Sequence, residues 1–322
     1  MPAPSPPMAR YLSRRLLQTA ALLLVVSVVV FALILRAPGG PSILLDRNLG
    51  ADEIARMRTI LGLDQPLHVQ YARWLRQVAG GNLGVSYTAG LPVREIIGQM
   101  LPNTLVLSAA ALLLSLVVAI PAGVATAARP YTAFDHALTF LCFFGVSIPV
   151  FWYGLMLIVL FSIVLGWLPP GGMYTIGGPR DLADLGRHLV LPALVLGTAN
   201  MAIFARYTRS STMAVLRQDY VRTARSKGLR ERAVLYRHAF RNALLTIITV
   251  VGLQLPRLVG GAAITETVFA WPGMGSLAVR AAFERDYPMI MGITLVISAV
   301  VAASNLLVDL VYVYVDPRIR YE

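Results

Sequence analysis

The side chains that carry most covalent and metal chemistry are almost missing from this chain. Its one lysine, Lys227, is followed by Gly228 and Leu229. A phosphate-binding P-loop needs Gly-Lys-Ser/Thr, so that backbone amides and a lysine can hold phosphates, and no such run occurs. The four histidines, His68, His136, His188 and His238, include no pair four residues apart. That removes the simplest helical zinc site. Gly273-Met274-Gly275-Ser276 lacks the spacing of a nucleophile elbow. Cys142 stands alone in an apolar run, so it forms no internal disulfide.

What remains is a set of polar residues in apolar surroundings, and one basic run. Asn200, Arg257, Glu266, Asn305 and Asp309 all sit in long apolar stretches. A charge at the centre of a bilayer costs about 2.5–3.5 kcal/mol on insertion scales, so such groups must face protein or water. All five are therefore candidates to line a pathway. Arg257 and Glu266 are nine residues apart and would point opposite ways on one straight helix. Pro256, Gly260 and Gly261 loosen that helix between them. Two readings stand for Glu266: a pathway group, or a surface residue at the end of a span. Asn305 and Asp309 are four apart and share a face, which suits an interhelical contact as well as a substrate path. Asn200 carries the same ambiguity.

The elements that position these residues are membrane helices. Of the 322 residues, 57% are apolar and 14% charged. Soluble domains carry about 25% charged residues, so a soluble enzyme, a disordered chain and a disulfide scaffold are all excluded. A bilayer core of ~30 Å needs about 20 helical residues. Six runs meet that length: Leu16–Leu35, Leu101–Ala128, Ala137–Trp167, Leu189–Tyr207, Leu244–Phe269 and Met289–Val315. The fold class read from them is all-α, a polytopic membrane protein with six transmembrane helices. The third run is long enough to tilt or to break at Pro149. The first follows Arg10, Arg14 and Arg15 and resembles a signal peptide. Its apolar stretch is too long, and no small-residue cleavage pattern follows, so it reads as a retained anchor. Met1–Pro7 is Pro-rich and is expected to be disordered.

Charge sets the orientation. With residues 1–15, 129–136, 208–243 and 316–322 inside, and Arg206 counted with them, sixteen basic residues face five acidic ones. The outside segments 37–100, 168–188 and 270–288 carry ten and nine. An excess of Lys and Arg on one side marks the cytoplasm, so both termini are expected there. The net charge of +12 is thus a topology signal and implies no nucleic-acid partner. The chain divides into a cytoplasmic N-terminus 1–15, a first span 16–36, an outer helical segment 37–100, a five-helix core 101–315 holding the cytoplasmic loop 208–243, and a C-terminus 316–322. In the outer segment Ile54, Met57 and Leu61 share one helical face, and Leu67, Tyr71, Trp74 and Val78 share another. Pro66 suits a helix start, and the run Gly80 to Gly84 breaks the structure. In the inner loop a short helix, Asp219–Lys227, is stopped by Gly228, whose freedom at positive φ ends helices.

That inner loop resembles the coupling loop of ABC importer permeases. The family pattern is Glu-Ala-Ala, three residues, then Gly. Aligned on Gly228, it puts Arg222, Thr223 and Ala224 at the Glu-Ala-Ala positions, with only the second Ala kept. The form Tyr220-Val-Arg-Thr-Ala-Arg-Ser-Lys-Gly-Leu229 is similar to the dipeptide and oligopeptide branch, which includes nickel and glutathione importers. Gly62-Leu-Asp-Gln-Pro-Leu-His-Val-Gln-Tyr-Ala-Arg-Trp-Leu75 resembles the outer segment of that branch's B-type permease. Gly81-Asn-Leu-Gly-Val-Ser86 departs from the usual motif only by Asn82 in place of Asp. Ser147-Ile-Pro-Val-Phe-Trp152, Glu266-Thr-Val-Phe-Ala-Trp-Pro-Gly-Met-Gly275 and Val315-Asp-Pro-Arg-Ile-Arg320 complete the likeness, which runs over residues 10–320.

The resemblance implies an ABC type I importer permease fold in a bacterial plasma membrane. It implies four kinds of partner: a second related permease, two ATPase subunits or domains, an extracytoplasmic substrate-binding protein, and membrane lipid. No cofactor belongs to this chain; ATP and Mg are bound by the partner subunits, and the chain is no enzyme. Asp219, Arg222, Thr223, Ala224, Lys227, Gly228 and Leu229 become the ATPase-coupling residues, with small Ala224 buried against the partner. The alternative for the same loop is a solvated basic segment that only fixes topology. The cargo implied is di- or oligopeptides, or alternatively nickel, glutathione or another small solute. A secondary transporter would show paired half-chain repeats with broken helices, and none is visible. An intramembrane protease lacks its catalytic residues here.

Overall fold

A computed structural model describes residues 6–36, 40, 50–60, 62–260 and 262–315. The chain folds into helices, among which the described residues show only one isolated β-bridge, Val85 to Pro92. Helix α1 covers Pro6–Arg36, α2 Ala51–Ile60, α3 Leu67–Ala79 and α4 Val93–Ala128. Then follow α5 Ala133–Ser147, α6 Val150–Leu157 continued by a π-helical stretch Ile158–Val164, and α7 Leu182–Leu216. Helix α8 is Asp219–Ser226 and α9 is Glu231–Ala233, leading through a second π-helical stretch, Val234–Phe240, into α10, Arg241–Gly260. Helices α11 Ala263–Val268, α12 Met274–Phe283 and α13 Tyr287–Val315 complete the order.

The fold agrees with an all-α membrane protein, with differences at the spans. Among the described residues, four helices are long and apolar enough to cross a bilayer: Ser13–Ile34 within α1, α4, α7 and Tyr287–Val311 within α13. The third expected span is two helices bent by 104° at Ile148-Pro149, and counting the pair as one span gives five. Proline cannot donate its amide and disfavours helix at the residue before it, so Ile148 turns to extended backbone there (φ −76°, ψ 131°). The fifth expected run falls on α10 and α11, parted around Gly261, and the side chain of Arg257 lies outside the described residues. At the N-terminus α1 begins at Pro6, inside the stretch expected to be disordered, because proline's fixed φ suits a first helical turn. Residues 1–5, most of 37–49, Leu61 and the terminal motif from Asp316 also lie outside the described residues.

The chain separates into two compact units. The first holds the described residues of 6–104 and 272–303. Its core is Val93, Ile97, Met274, Leu277, Ala281, Met289 and Ile293. Helix α3 starts after Pro66 as its spacing predicts, and its Tyr71 meets α1 through a hydroxyl contact with Ser27 at 2.9 Å and an edge-on contact with Phe31. The motif ending at Ser86 explains itself here. Asp286 caps the start of α13, accepting the Met289 amide at 3.2 Å, and its other oxygen takes the hydroxyls of Ser86 and Thr88. Ser86 therefore pins the outer segment to a helix start. Burial, with Asp286 and Tyr287 close by, pushes the neighbouring Tyr87 phenol up to about 12.

The second unit holds the described residues of 105–271 and 304–315. Its helices approach closely at small residues, as membrane helices do where lipid offers no hydrophobic drive for association. A Cβ on Gly123 of α4 would lie 2.6 Å from Thr208 and 2.7 Å from the Ala205 carbonyl on α7. Gly197 of α7 meets Ser115 of α4, whose hydroxyl donates to the Gly197 carbonyl at 2.9 Å. Gly145 of α5 meets Thr198, and Gly252 of α10 meets Val308 of α13. Larger side chains fill the space between these crossings, with Phe204 and Trp271 almost wholly buried.

Candidate functional site

The basic loop is a folded unit built on α8. Its eight residues alternate in helical phase between two faces. Val221 and Ala224 turn inward and are buried with Val234, against Val215 and Leu216 of α7. Asp219, Arg222, Thr223 and Arg225 turn outward and are exposed. Ala224 is therefore only 5% exposed within its own chain. This corrects the expectation that its small side chain waits for a partner: its smallness lets α8 lie close on α7 and the following π-helical turn.

Gly228 ends α8 as expected. Its φ is +78°, its amide donates to the Arg225 carbonyl at 2.9 Å, and the Leu229 amide reaches back to Ala224 at 3.4 Å. That pair of bonds is a Schellman cap, in which the residue after the C-cap must be left-handed. The cap turns the chain outward, so Lys227 and Leu229 stand on the surface beside Arg222 and Thr223, with Leu229 at 42% exposure. Arg222 sits 3.6 Å from the Asp219 carboxylate, and both are open to solvent.

Two further links fix α8, and the sequence reading missed both. Arg225 forks onto Glu231 at 2.8 and 3.4 Å, tying α8 to α9. Tyr220 accepts a hydrogen bond from the Asn242 amide at 2.6 Å, and the same Asn242 nitrogen donates to the His238 carbonyl at 3.0 Å. A π-helix shifts the backbone ladder by one residue, and π-turns commonly mark functional sites. Asn242 takes up a carbonyl of that segment while Tyr220 closes the bridge from α8. The spacing of Tyr220 and Asn242, 22 residues, holds no helical period, so no pattern pointed to their pairing.

The candidate pathway residues are spread over several helices. Asn200 is half-buried on α7, where its amide donates to the Leu196 carbonyl at 3.3 Å. Glu266 is fully buried on α11, so its side chain packs within the protein and is not at an outer surface. Asn305 is exposed and Asp309 half-buried on α13. Arg257 lies on α10, which ends at Gly260, so it and Glu266 are not on one straight helix.

Comparison with known proteins follows the same lines. Residues 119–321 match the family model described as "Binding-protein-dependent transport system inner membrane component". Residues 8–108 match the model for the N-terminal part of such membrane components. The chain is 44% identical over 316 residues to the oligopeptide transport system permease protein AppB of Bacillus subtilis (strain 168), covering 98% of this chain and all of that one. It is 39% identical to the dipeptide transport system permease protein DppB of Alkalihalophilus pseudofirmus and to the di/tripeptide transport system permease protein DppB of Pseudomonas aeruginosa, again over 98% of this chain and all of each relative. Among solved structures, a chain of the MetNI methionine ABC transporter in inward-facing conformations superposes with a TM-score of 0.56. It is 16% identical and covers 69% of this chain and 97% of its own length, a likeness of fold alone.

Proposed function

We propose, for a chain that belongs to the family of binding-protein-dependent transport system inner membrane components, that the outward face of α8 is the surface through which it is driven. The chain is the permease subunit of an ABC importer for di- and oligopeptides. Two ATPase subunits or domains bind ATP and Mg and press on Arg222, Thr223, Lys227 and Leu229. A second, related permease completes the path between them, and an extracytoplasmic binding protein delivers peptide to the outer side. Six spans, read from the apolar runs, put both termini on one side, and the charge bias of the loops favours the cytoplasm for that side. Membrane lipid surrounds the spans.

The observation that carries this reading is the division of α8 into two faces. The inner face is satisfied within the chain, while the outer face presents cations and the apolar Leu229 to solvent. A loop that only set topology would need positive charge but no buried inner face, no Schellman cap and no ties on both flanks. The cap and the two ties make α8 a rigid body, and a rigid body can pass a push from a partner into the helices that hold it. The test is copurification of the ATPase with the chain after Arg222→Glu together with Lys227→Glu. Loss of the ATPase from an otherwise intact permease supports the reading; undiminished copurification removes it. Uptake of labelled di- and oligopeptides by a deletion strain, with and without the gene restored, tests the cargo.

A further inference from the structure

Helices α7 and α10 are joined to α8 through the chain, so they follow any movement of it. Helix α5 is not; it is reached only sideways. The charged link that reaches it is an ion pair whose carboxylate is buried and whose guanidinium is partly exposed. Asp135, in the first turn of α5, is 2% exposed. Both its oxygens are taken by the Arg209 guanidinium of α7, Nε to Oδ1 at 2.7 Å and Nη2 to Oδ2 at 2.6 Å. The Tyr131 amide also donates to Oδ2 at 2.9 Å. Tyr131 has φ +61°, a left-handed conformation that tyrosine rarely adopts, and the carboxylate holds the turn there. Only a guanidinium offers the planar fork this arrangement uses.

The pair is the charged contact between two helices that also touch elsewhere, Cys142 of α5 packing against the core around Phe204 and Ala205 of α7. Above it, α5 and α7 part around a cavity of about 380 Å³, lined by Leu138, Cys142 and Phe143 on one side and by Ile203 and Arg206 on the other. They meet again where Gly145 contacts Thr198. On the other side of the pair, Arg209 is seven residues from Leu216, or about 10 Å along a helix. Leu216 packs on the inner face of α8. A displacement of α8 therefore reaches Arg209 through one short, stiff piece of α7, and crosses to α5 at Asp135.

We infer that Asp135 and Arg209 are positioning residues that make α5, and the bent span it begins, follow the coupling helix. This rests on the reading of α8 given above. The test uses the complete transporter with its ATPases, in liposomes. Asp135→Asn and Arg209→Lys should each leave the ATPase bound and hydrolysing, while peptide taken up per ATP falls about twofold to thirtyfold, the range by which residues along a coupling route change coupling. Exchanging the charges, Asp135→Arg with Arg209→Asp, should recover part of the loss. A merely structural pair would lower assembly, hydrolysis and uptake together and leave the ratio unchanged. In the unaltered complex, hydrogen exchange across residues 129–136 should stay slow both with and without bound ATP, because the pair holds throughout the cycle. An unchanged uptake-per-ATP ratio in both single variants, or loss of protection on ATP binding, overturns the inference. Should the variants fail to assemble, the exchange experiment decides alone. A wrong reading of α8 shows itself separately, as full ATPase binding after Arg222→Glu with Lys227→Glu, and would take this inference with it.

Discussion

Within the loop, substitutions at Gly228 and Ala224 fail for different physical reasons. Gly228 has φ +78° and nothing within 4 Å of where a Cβ would stand. Gly228→Val therefore meets no neighbour; it fails through backbone strain alone, at about 1–2 kcal/mol for a β-carbon in the left-handed region. The cap should fray and uptake per ATP should fall, while Gly228→Asn, which tolerates that region, should keep most of it. Ala224→Glu fails differently. It drives a carboxylate into the cluster of Val221 and Val234, an uncompensated burial worth about 3 kcal/mol or more. It should release α8 from α7, seen as rapid trypsin cleavage between Arg217 and Arg232 in the permease without its ATPase. Cleavage as slow as in the parent would mean Ala224 is not packed inward. Arg222→Glu should leave that cleavage unchanged. The helix, its stop at Gly228 and its basic outer face were all legible in the residues. The direction of Ala224 was not, because an alanine in a short amphipathic helix fits a core and an interface equally well, and only Val234, ten residues away across a turn, decides.

At the scale of elements, the long helices were legible because twenty apolar residues leave few other folds in lipid. The bend at Pro149 was visible as a possibility, but its 104° angle depends on what α5 and α6 pack against, which no local pattern encodes. The two π-helical stretches were invisible for a similar reason. Their residues, Ile158–Val164 and Val234–Phe240, have ordinary helical composition, and the wider turn is set by neighbours such as Tyr220 and Asn242. Asn242→Leu should therefore leave α10 intact but loosen α8, raising amide exchange across residues 219–240 without changing the thermal midpoint by more than a few degrees. Exchange rates matching the parent would show that the Tyr220–Asn242 bridge does not hold the loop. The crossing of α4 and α7 offers a sharper case. At Gly123 a methyl group would stand 2.7 Å from a backbone carbonyl of α7, and backbone cannot swing away as a side chain can. Gly123→Ala should cost about 1–3 kcal/mol by overpacking, read as a lower unfolding temperature in detergent. Gly186→Ala, with nothing within 4 Å, serves as the control and should change little.

For the whole molecule, the loops decide which way the chain lies in the membrane. The basic residues gather in the segments that flank α8 and at the start of α1, while the outer segment with α2 and α3 is nearly balanced, and Lys and Arg resist transfer across a membrane that is negative inside. The proposed mechanism needs the same arrangement, because on that proposal α8 meets ATPases that hold cytoplasmic ATP, while the surfaces around α2 and α3 meet a binding protein on the other side. Topology and coupling are thus tied, and one experiment bears on both. Cys142 is half-buried in α5 and is first replaced by serine, leaving a chain without thiols. Asp52→Cys and Arg230→Cys then introduce single thiols at exposed positions, one on α2 and one just past the cap of α8. A charged maleimide that does not cross the bilayer should label residue 52 in intact spheroplasts and residue 230 only after the membrane is opened or inverted. The number of spans enters directly. Between residues 52 and 230 the expected order has three crossings, supplied by α4, by the bent pair of α5 and α6 with its π-helical continuation, and by α7, and an odd number puts the two thiols on opposite sides. If the bent pair entered and left by the same face, as a 104° turn would allow, the number would be two. Both thiols would then label from one side, and α8 would face away from the ATP that drives it.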